Sequence, residues 1–230
     1  MDPVRGMLTA ARTLSYYNRL QEVTTNNLAN VSTAGFKGER ITAHRLSDVS
    51  QPIPVERTDL SQGALTATGR TLDLALEGEG FLVVETDAGE RLIRGGSLRL
   101  DGAGRLVDGD GAPLLGKAGP IVVTGAVVEV RGDGTVLDDG LELDRLRVVA
   151  PAEDATLLKE AAGRFVVNGE VEDRPDTLVR QGHLESANVD SITTMVALVE
   201  IQRAYAANIT AVRTMDGVMS SITGELGRVS

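Results

Sequence analysis

A chain of 230 residues can bury a substantial core, and with 42% hydrophobic but only 3% aromatic residues and no tryptophan that core must be aliphatic. The absence of cysteine excludes disulfides, thiolate metal sites and thiol nucleophiles. The net charge of −10 divides into +3 over residues 1–46, −11 over 47–181 and −2 over 182–230, and an acidic middle argues against nucleic acid, which demands a basic face.

No apolar run approaches the roughly 18–20 residues that a membrane span needs, so no membrane insertion is expected. The first twenty residues lack a continuous apolar segment of the secretory type, and no cleaved signal is expected either. The chain should begin as helix: Asp2 can cap the first turn, and Pro3 suits the first helical position, where a missing N–H costs nothing. Val4, Met7, Ala11, Leu14 and Leu28 fit one heptad stripe, interrupted by Asn18, Gln21 and Thr25. So weak a stripe needs a partner. The helix should stop near Asn30, before the turn-prone Ser32-Thr33-Ala34-Gly35. Residues 38–70 read as an extended connector, because Pro52 and Pro54 forbid helix and Leu60-Ser61-Gln62-Gly63 reads as a turn.

Residues 71–168 read as β. Aliphatic and β-branched runs recur at Leu72–Leu76, Phe81–Thr86, Arg91–Arg94, Ile121–Thr124, Val127–Arg131, Leu146–Ala150 and Arg164–Asn168. Between several of them lie Asp/Gly turns, at Asp87-Ala88-Gly89, Asp101 to Gly104, Asp108 to Gly111 and Asp133-Gly134. Short strands at close spacing with such turns predict antiparallel sheet. Pro151–Ala162 is expected to hold one short helix. Pro175 and Gly182 then bracket the approach to a long terminal helix, starting near Asn188 or Asp190, and residues 183–216 contain neither Gly nor Pro. Along it, Leu198, Ile201, Tyr205, Asn208, Val212, Met215, Met219, Ile222 and Leu226 alternate steps of three and four, the mark of a helix that buries a seam against another helix. Asn18 and Asn208 are expected to fix register within the seams.

The fold class is therefore α+β: a discontinuous helical stalk of paired N- and C-terminal helices with an inserted, mainly antiparallel β domain. Its expected segments are 1–37 for the first assembly helix and its turn, 38–70 for the connector, 71–180 for the β domain and 181–230 for the last helix. Chemistry finds little foothold. Asp108-Gly109-Asp110-Gly111 starts like a calcium loop, but Ala112 and Pro113 occupy the positions where that loop needs a ligand and a glycine. Gly78-Glu79-Gly80 starts like a dinucleotide fingerprint, but Val83 holds the third glycine position and no helix follows. The two histidines, His44 and His183, sit in separate segments without metal-ligand spacing. No catalytic residue, cofactor or metal site is expected.

One stretch is far more specific. Asn26-Asn27-Leu28-Ala29-Asn30-Val31-Ser32-Thr33-Ala34-Gly35-Phe36-Lys37 closely resembles the N-terminal signature of the bacterial flagellar axial proteins, the rod, hook and hook-associated family. Gln181-Gly182-His183-Leu184-Glu185-Ser186-Ala187-Asn188-Val189-Asp190 resembles that family's segment before its last helix, and Gln202-Arg203-Ala204-Tyr205 with Asn208 its pattern within the helix. In the middle, Leu72-Asp73-Leu74-Ala75-Leu76, Gly78-Glu79-Gly80-Phe81 and Arg94-Gly95-Gly96-Ser97-Leu98 continue the similarity, with Leu98 in place of the family's aromatic.

The resemblance implies a structural subunit rather than an enzyme, exported by the flagellar type III apparatus and assembled in the periplasmic space into a helical tube. Its partners are then copies of itself and other rod and hook axial proteins. Length favours the proximal rod, with the distal rod as the alternative. Outside the family, a secreted binding module with a coiled-coil stalk would share the helix and sheet pattern. The candidate assembly residues are Val4, Met7, Ala11, Leu14, Asn26, Asn27, Leu28, Asn30, Gly35 and Phe36, together with the nine seam residues of the last helix.

Overall fold

The computed structural model describes residues 3–44, 53–160 and 163–226, and the chain divides into two compact units. The first unit gathers both terminal segments with residues 39–57. It holds α1 (Pro3–Ala29), the two-stranded sheet of β1 (Glu39–His44) and β2 (Ile53–Thr58), and α2 (Ser191–Leu226). The start of α2 is fixed by Asp190, whose carboxylate accepts the Thr193 amide at 2.7 Å while its carbonyl accepts the Thr194 hydroxyl at 2.6 Å, an N-cap of the usual kind. Helix α2 has 36 residues and so runs about 54 Å. Helices α1 and α2 pack on one another. In α2 the half-buried stripe runs Ser191, Thr194, Leu198, Ile201, Tyr205, Asn208 and Val212, in alternating steps of three and four.

The second unit comprises residues 30–38 and 58–188. Its strands are short: β3 (Leu65–Ala67), β4 (Asp73–Glu77), β5 (Phe81–Thr86), β6 (Gly89–Ile93), β7 (Gly95–Ser97), β8 (Arg99–Leu100) and β9 (Leu106–Val107). They continue with β10 (Val128–Val130), β11 (Thr135–Asp138), β12 (Leu141–Arg145), β13 (Val148–Pro151), β14 (Thr156–Lys159), β15 (Phe165–Asn168), β16 (Val171–Asp173), β17 (Leu178–Gln181) and β18 (His183–Glu185). A six-stranded sheet in the order β14-β15-β6-β5-β13-β16 is flanked by the three-stranded sheets β17-β4-β7 and β10-β11-β12 and two-stranded pairs. The pairings in these three sheets are antiparallel.

Strand β5 organises the core because successive side chains leave opposite faces of a strand. Leu82 and Val84 enter a large aliphatic cluster with Leu74, Leu114, Ile121 and Leu146, while Phe81 and Val83 enter a second one with Leu92, Val149 and Phe165. The aromatic contribution is a single edge-to-face pair, Phe81 on Phe165, with centroids 5.4 Å apart. Between β11 and β12, Asp139 and Gly140 both take positive φ, as a two-residue hairpin turn requires. The Asp108 loop is likewise a hairpin turn: its carboxylate accepts the Asp110 and Ala112 amides and pairs with Arg164 at 2.6 Å.

Two expectations differ from the structure. The helix expected over Pro151–Ala162 is absent from 151–160, and residues 161–162 lie outside the described residues. A turn closed by the Ala155 amide on the Ala152 carbonyl leads into β14, which pairs along its length with β15 and sets Leu157 against the Phe165 cluster. The apolar residues that suggested a helix serve a sheet edge instead. Residues 121–124 make only an isolated bridge, though Ile121 and Val123 are buried.

Carboxylates hold many of these turns. Burial pushes the Asp73 carboxyl up, but the Thr68 and Ser97 hydroxyls and the Arg70 guanidinium together bring it below the ordinary aspartate range. Loop amides do the same for Asp101 (Arg105), Asp133 (Thr135) and Asp138 (Thr124). A carboxyl with a depressed folded value binds fewer protons folded than unfolded, so its stabilisation is complete above about pH 4 and lost as pH falls through the folded value. The urea midpoint should therefore be level from about pH 7 to 5 and drop below about pH 4. Asp73→Asn should lower it at neutral pH and flatten the acid drop; an unchanged acid slope in that variant would contradict this account.

Candidate functional site

The signature segment leaves α1 and closes into the second unit. The helix ends in a turn in which the Thr33 amide bonds the Asn30 carbonyl at 2.9 Å. Gly35 then takes φ +69°, a left-handed conformation that favours glycine, and its amide meets the Glu185 carbonyl at 2.7 Å. Phe36 is buried with the Lys159 ammonium 3.6 Å from its ring centre, and Lys159 also bonds the Lys37 carbonyl.

Lys37 itself is 0% exposed, which for a charged side chain demands a partner. Its ammonium donates to Glu185 Oε1 at 2.5 Å and to the Ser61 carbonyl at 2.7 Å. Glu185 also accepts the Gly63 amide at 2.8 Å and, on Oε2, Arg94 Nε at 3.0 Å. Arg94 reaches on to the carbonyls of Gly78 and Gly80. Burial pulls the Lys37 ammonium below the ordinary lysine value, and Glu185 opposes that shift.

Asn188 completes the arrangement. Its side-chain oxygen accepts the Gly38 amide at 2.8 Å, and its NH₂ donates to the carbonyls of Asp59 and Ser61. Gly63 passes so close that a Cβ there would stand 2.0 Å from the Ser186 carbonyl oxygen. Residues 35–38 and 185–188, the segments next to α1 and α2 in the chain, are thus fastened to each other and to residues 59–63.

The candidate assembly residues fall into groups. Leu198, Ile201, Tyr205, Asn208 and Val212 share the half-buried stripe of α2, while Met215 is 45% exposed. The Asn208 amide is spent on its own helix, donating to the Ala204 carbonyl at 2.8 Å. On α1, Leu14 and Leu28 are half-buried but Ala11 and Asn18 are exposed; the covered stripe there runs through Leu14, Tyr17, Gln21, Thr24 and Leu28. Within the single chain, then, Asn18 is not in the seam, because the stripe drawn from the first heptad drifts off it. Asn27 clamps the start of β1, donating to the Glu39 carbonyl and accepting its amide at 2.8 and 2.9 Å, whereas Asn26 is exposed. Val4, Met7, Met219, Ile222 and Leu226 have side chains outside the described residues. Sequence reasoning missed Lys37, Arg94, Glu185 and Asn188 as a set. All four lie in family-like segments, but nothing local announces partners 91 to 150 positions apart.

A family model described as flagella basal body rod protein matches residues 7–37, and one described as flagellar basal body rod FlgEFG protein C-terminal matches 180–225. The flagellar basal-body rod protein FlgF of Caulobacter vibrioides is 32% identical over 202 residues, 80% of this chain and 82% of its own. That of Escherichia coli strain K12 is 30% identical over 240 residues, 92% of each chain. The chain belongs to the flagellar basal-body rod protein family. Within that family it is of the FlgF/FlgG type: the FlgG protein of Bacillus subtilis strain 168 is 25% identical over 95% of this chain, slightly behind the FlgF relatives. Membership of the rod family sets aside a secreted binding module.

The charge group generates an ordered prediction. Glu185→Gln removes the carboxylate that the buried Lys37 and Arg94 share and should cost about 3–5 kcal/mol in urea denaturation. Lys37→Met leaves the Arg94–Glu185 pair intact and should cost less. The reverse order would show that Lys37, not Glu185, is the centre.

Proposed function

We propose that this chain is a structural subunit of the flagellar basal-body rod, assembling through its terminal helices into the helical tube that transmits torque and conducts exported subunits. The observation that carries the reading is the state of α2. Among its described side chains none is buried, although the helix has 36 residues. One face is half-covered. Outside that stripe, Ile192, Met195, Val196 and Val199 are 47–73% exposed, and Met215 and Val218 extend the exposure toward the C-terminal end. A helix left apolar on two sides within one chain calls for further helices.

Copies of this chain and other axial proteins supply those helices. Heterologous contacts that do not close into a ring build a filament, and an extended apolar contact suits a part that must carry torque. The paired terminal helices form the stalk and the β domain faces outward. The higher identities to FlgF relatives favour the proximal rod, with the distal rod as the second reading. The chain is exported by the flagellar type III apparatus without a cleaved signal and works in the periplasmic space, with no catalytic chemistry of its own. Of the candidate assembly residues named from the sequence, those on the two helices, Asn27 apart, form the contact set together with the exposed Ile192, Met195, Val196 and Val199, while Asn27, Gly35 and Phe36 hold the chain's own fold.

Two outcomes are expected. Val212→Asp or Leu198→Asp places a charge in the seam and should abolish incorporation into basal bodies while leaving the cooperative unfolding of the β unit unchanged; normal incorporation would rule the seam out. In the isolated monomer, amide exchange should be fast over 1–29 and the end of α2 and slow over 72–150. Strong protection of 1–29 in a verified monomer would contradict the reading that these helices become stable only when further copies cover them.

A further inference from the structure

Lys37 and Arg94 share the carboxylate of Glu185, and the charge of Asp59 also acts on Lys37. Arg94 spends Nε on Glu185 and Nη1 on two carbonyls, yet its Nη2 has no hydrogen-bond partner, although the side chain is only 3% exposed. The Phe81 ring, 5.7 Å from the guanidinium carbon, offers a π face but no acceptor oxygen.

Arg94 lines an open cavity of about 560 Å³ whose apolar walls include Leu60, Phe81, Pro151 and Leu157. A second guanidinium, Arg174, lines it too; its Nε is also without a partner, and its nearest carboxylate, Glu172, is 3.8 Å from Nη2. Glu79, the one carboxylate in the lining, belongs to an exposed residue at the rim. Two guanidinium groups with unmet N–H donors, beside apolar walls, match a carboxylate carried on a short aliphatic stem.

We propose that this cavity receives a glutamate side chain from a neighbouring copy of the chain. Its methylenes would lie against Leu60, Phe81 and Leu157, and its carboxylate would turn toward Arg94 and Arg174. A free inorganic anion would leave the apolar walls uncovered. Copies of the chain have the acid to spare, since residues 47–181 carry a net charge of −11. The choice of a copy as the occupant rests on the rod reading above. The recognition chemistry does not.

The test has two parts. The full chain, isotope-labelled at its arginines, is titrated with N-acetylglutamate and with N-acetylglutamine while the Nε–H resonances of Arg94 and Arg174 are followed. The carboxylate should shift both and bind about tenfold more tightly than the amide. Arg174→Gln should weaken that response about tenfold with an unchanged urea midpoint. Equal responses to the two probes, or none, would overturn the site whatever the chain's place in the cell. A photoreactive residue at the exposed position Leu60 is then activated in purified basal bodies. Cross-linking to a glutamate-containing peptide of another copy supports the occupant; cross-linking to a different protein, or none in basal bodies that contain the chain, overturns it.

Discussion

The buried contact of Lys37 with Glu185 is the constraint on which the second unit's organisation depends. These residues are 148 positions apart, one just past the first helix and one just before the last. A buried lysine tolerates no vague surroundings: it needs a carboxylate and carbonyls at hydrogen-bond distance, and those come from Glu185 and the Ser61 carbonyl. The same carboxylate takes Arg94 and the Gly63 amide, so the link between β6 and β7 and the returning connector are held by one group. Replacing this polar centre by apolar residues could be neutral in free energy. What it secures is a single arrangement of the segments that lead into the helices, which a subunit needs if every copy is to present those helices alike.

The two units solve opposite problems. The β unit satisfies itself: β5 is buried on both faces, its turns are closed by their own aspartates, and its aliphatic core needs no other chain. The helices do not. Helix α2 is capped and long enough to be well formed, but its apolar residues exceed what α1 covers, and its exposed methionines and valines are stable in water only at a cost. A chain built this way folds in the middle and is completed at its ends by assembly.

Much of this was legible in the sequence. The start of the last helix beside Asp190, the β5 run and the Asp-Gly turns each rest on local chemistry, and local chemistry decided them, while the expected Asp2 cap lies outside the described residues. The half-buried stripe of α2 from Leu198 to Val212 was readable because a step of three and four is a geometric statement, whereas Met215 is exposed. The same logic faltered on α1, where polar interruptions left the register open and the covered stripe runs through Tyr17 and Thr24 instead of Ala11 and Asn18. The helix expected from Pro151 failed over its described part, 151–160, for a different reason: Leu157 and Leu158 suit a helix locally, but pairing with β15 is a tertiary choice. The charge group was invisible for the plainest reason of all, since charged residues are usually solvated and only the fold brings these four segments together.

The claim at the centre of this account is that the chain is a built-in part of the rod. Quantitative mass spectrometry of hook–basal bodies purified from the source organism tests it most directly. The account predicts the chain at a fixed copy number per particle, a handful for a proximal component. Complete absence from intact particles that contain the other axial proteins would contradict it.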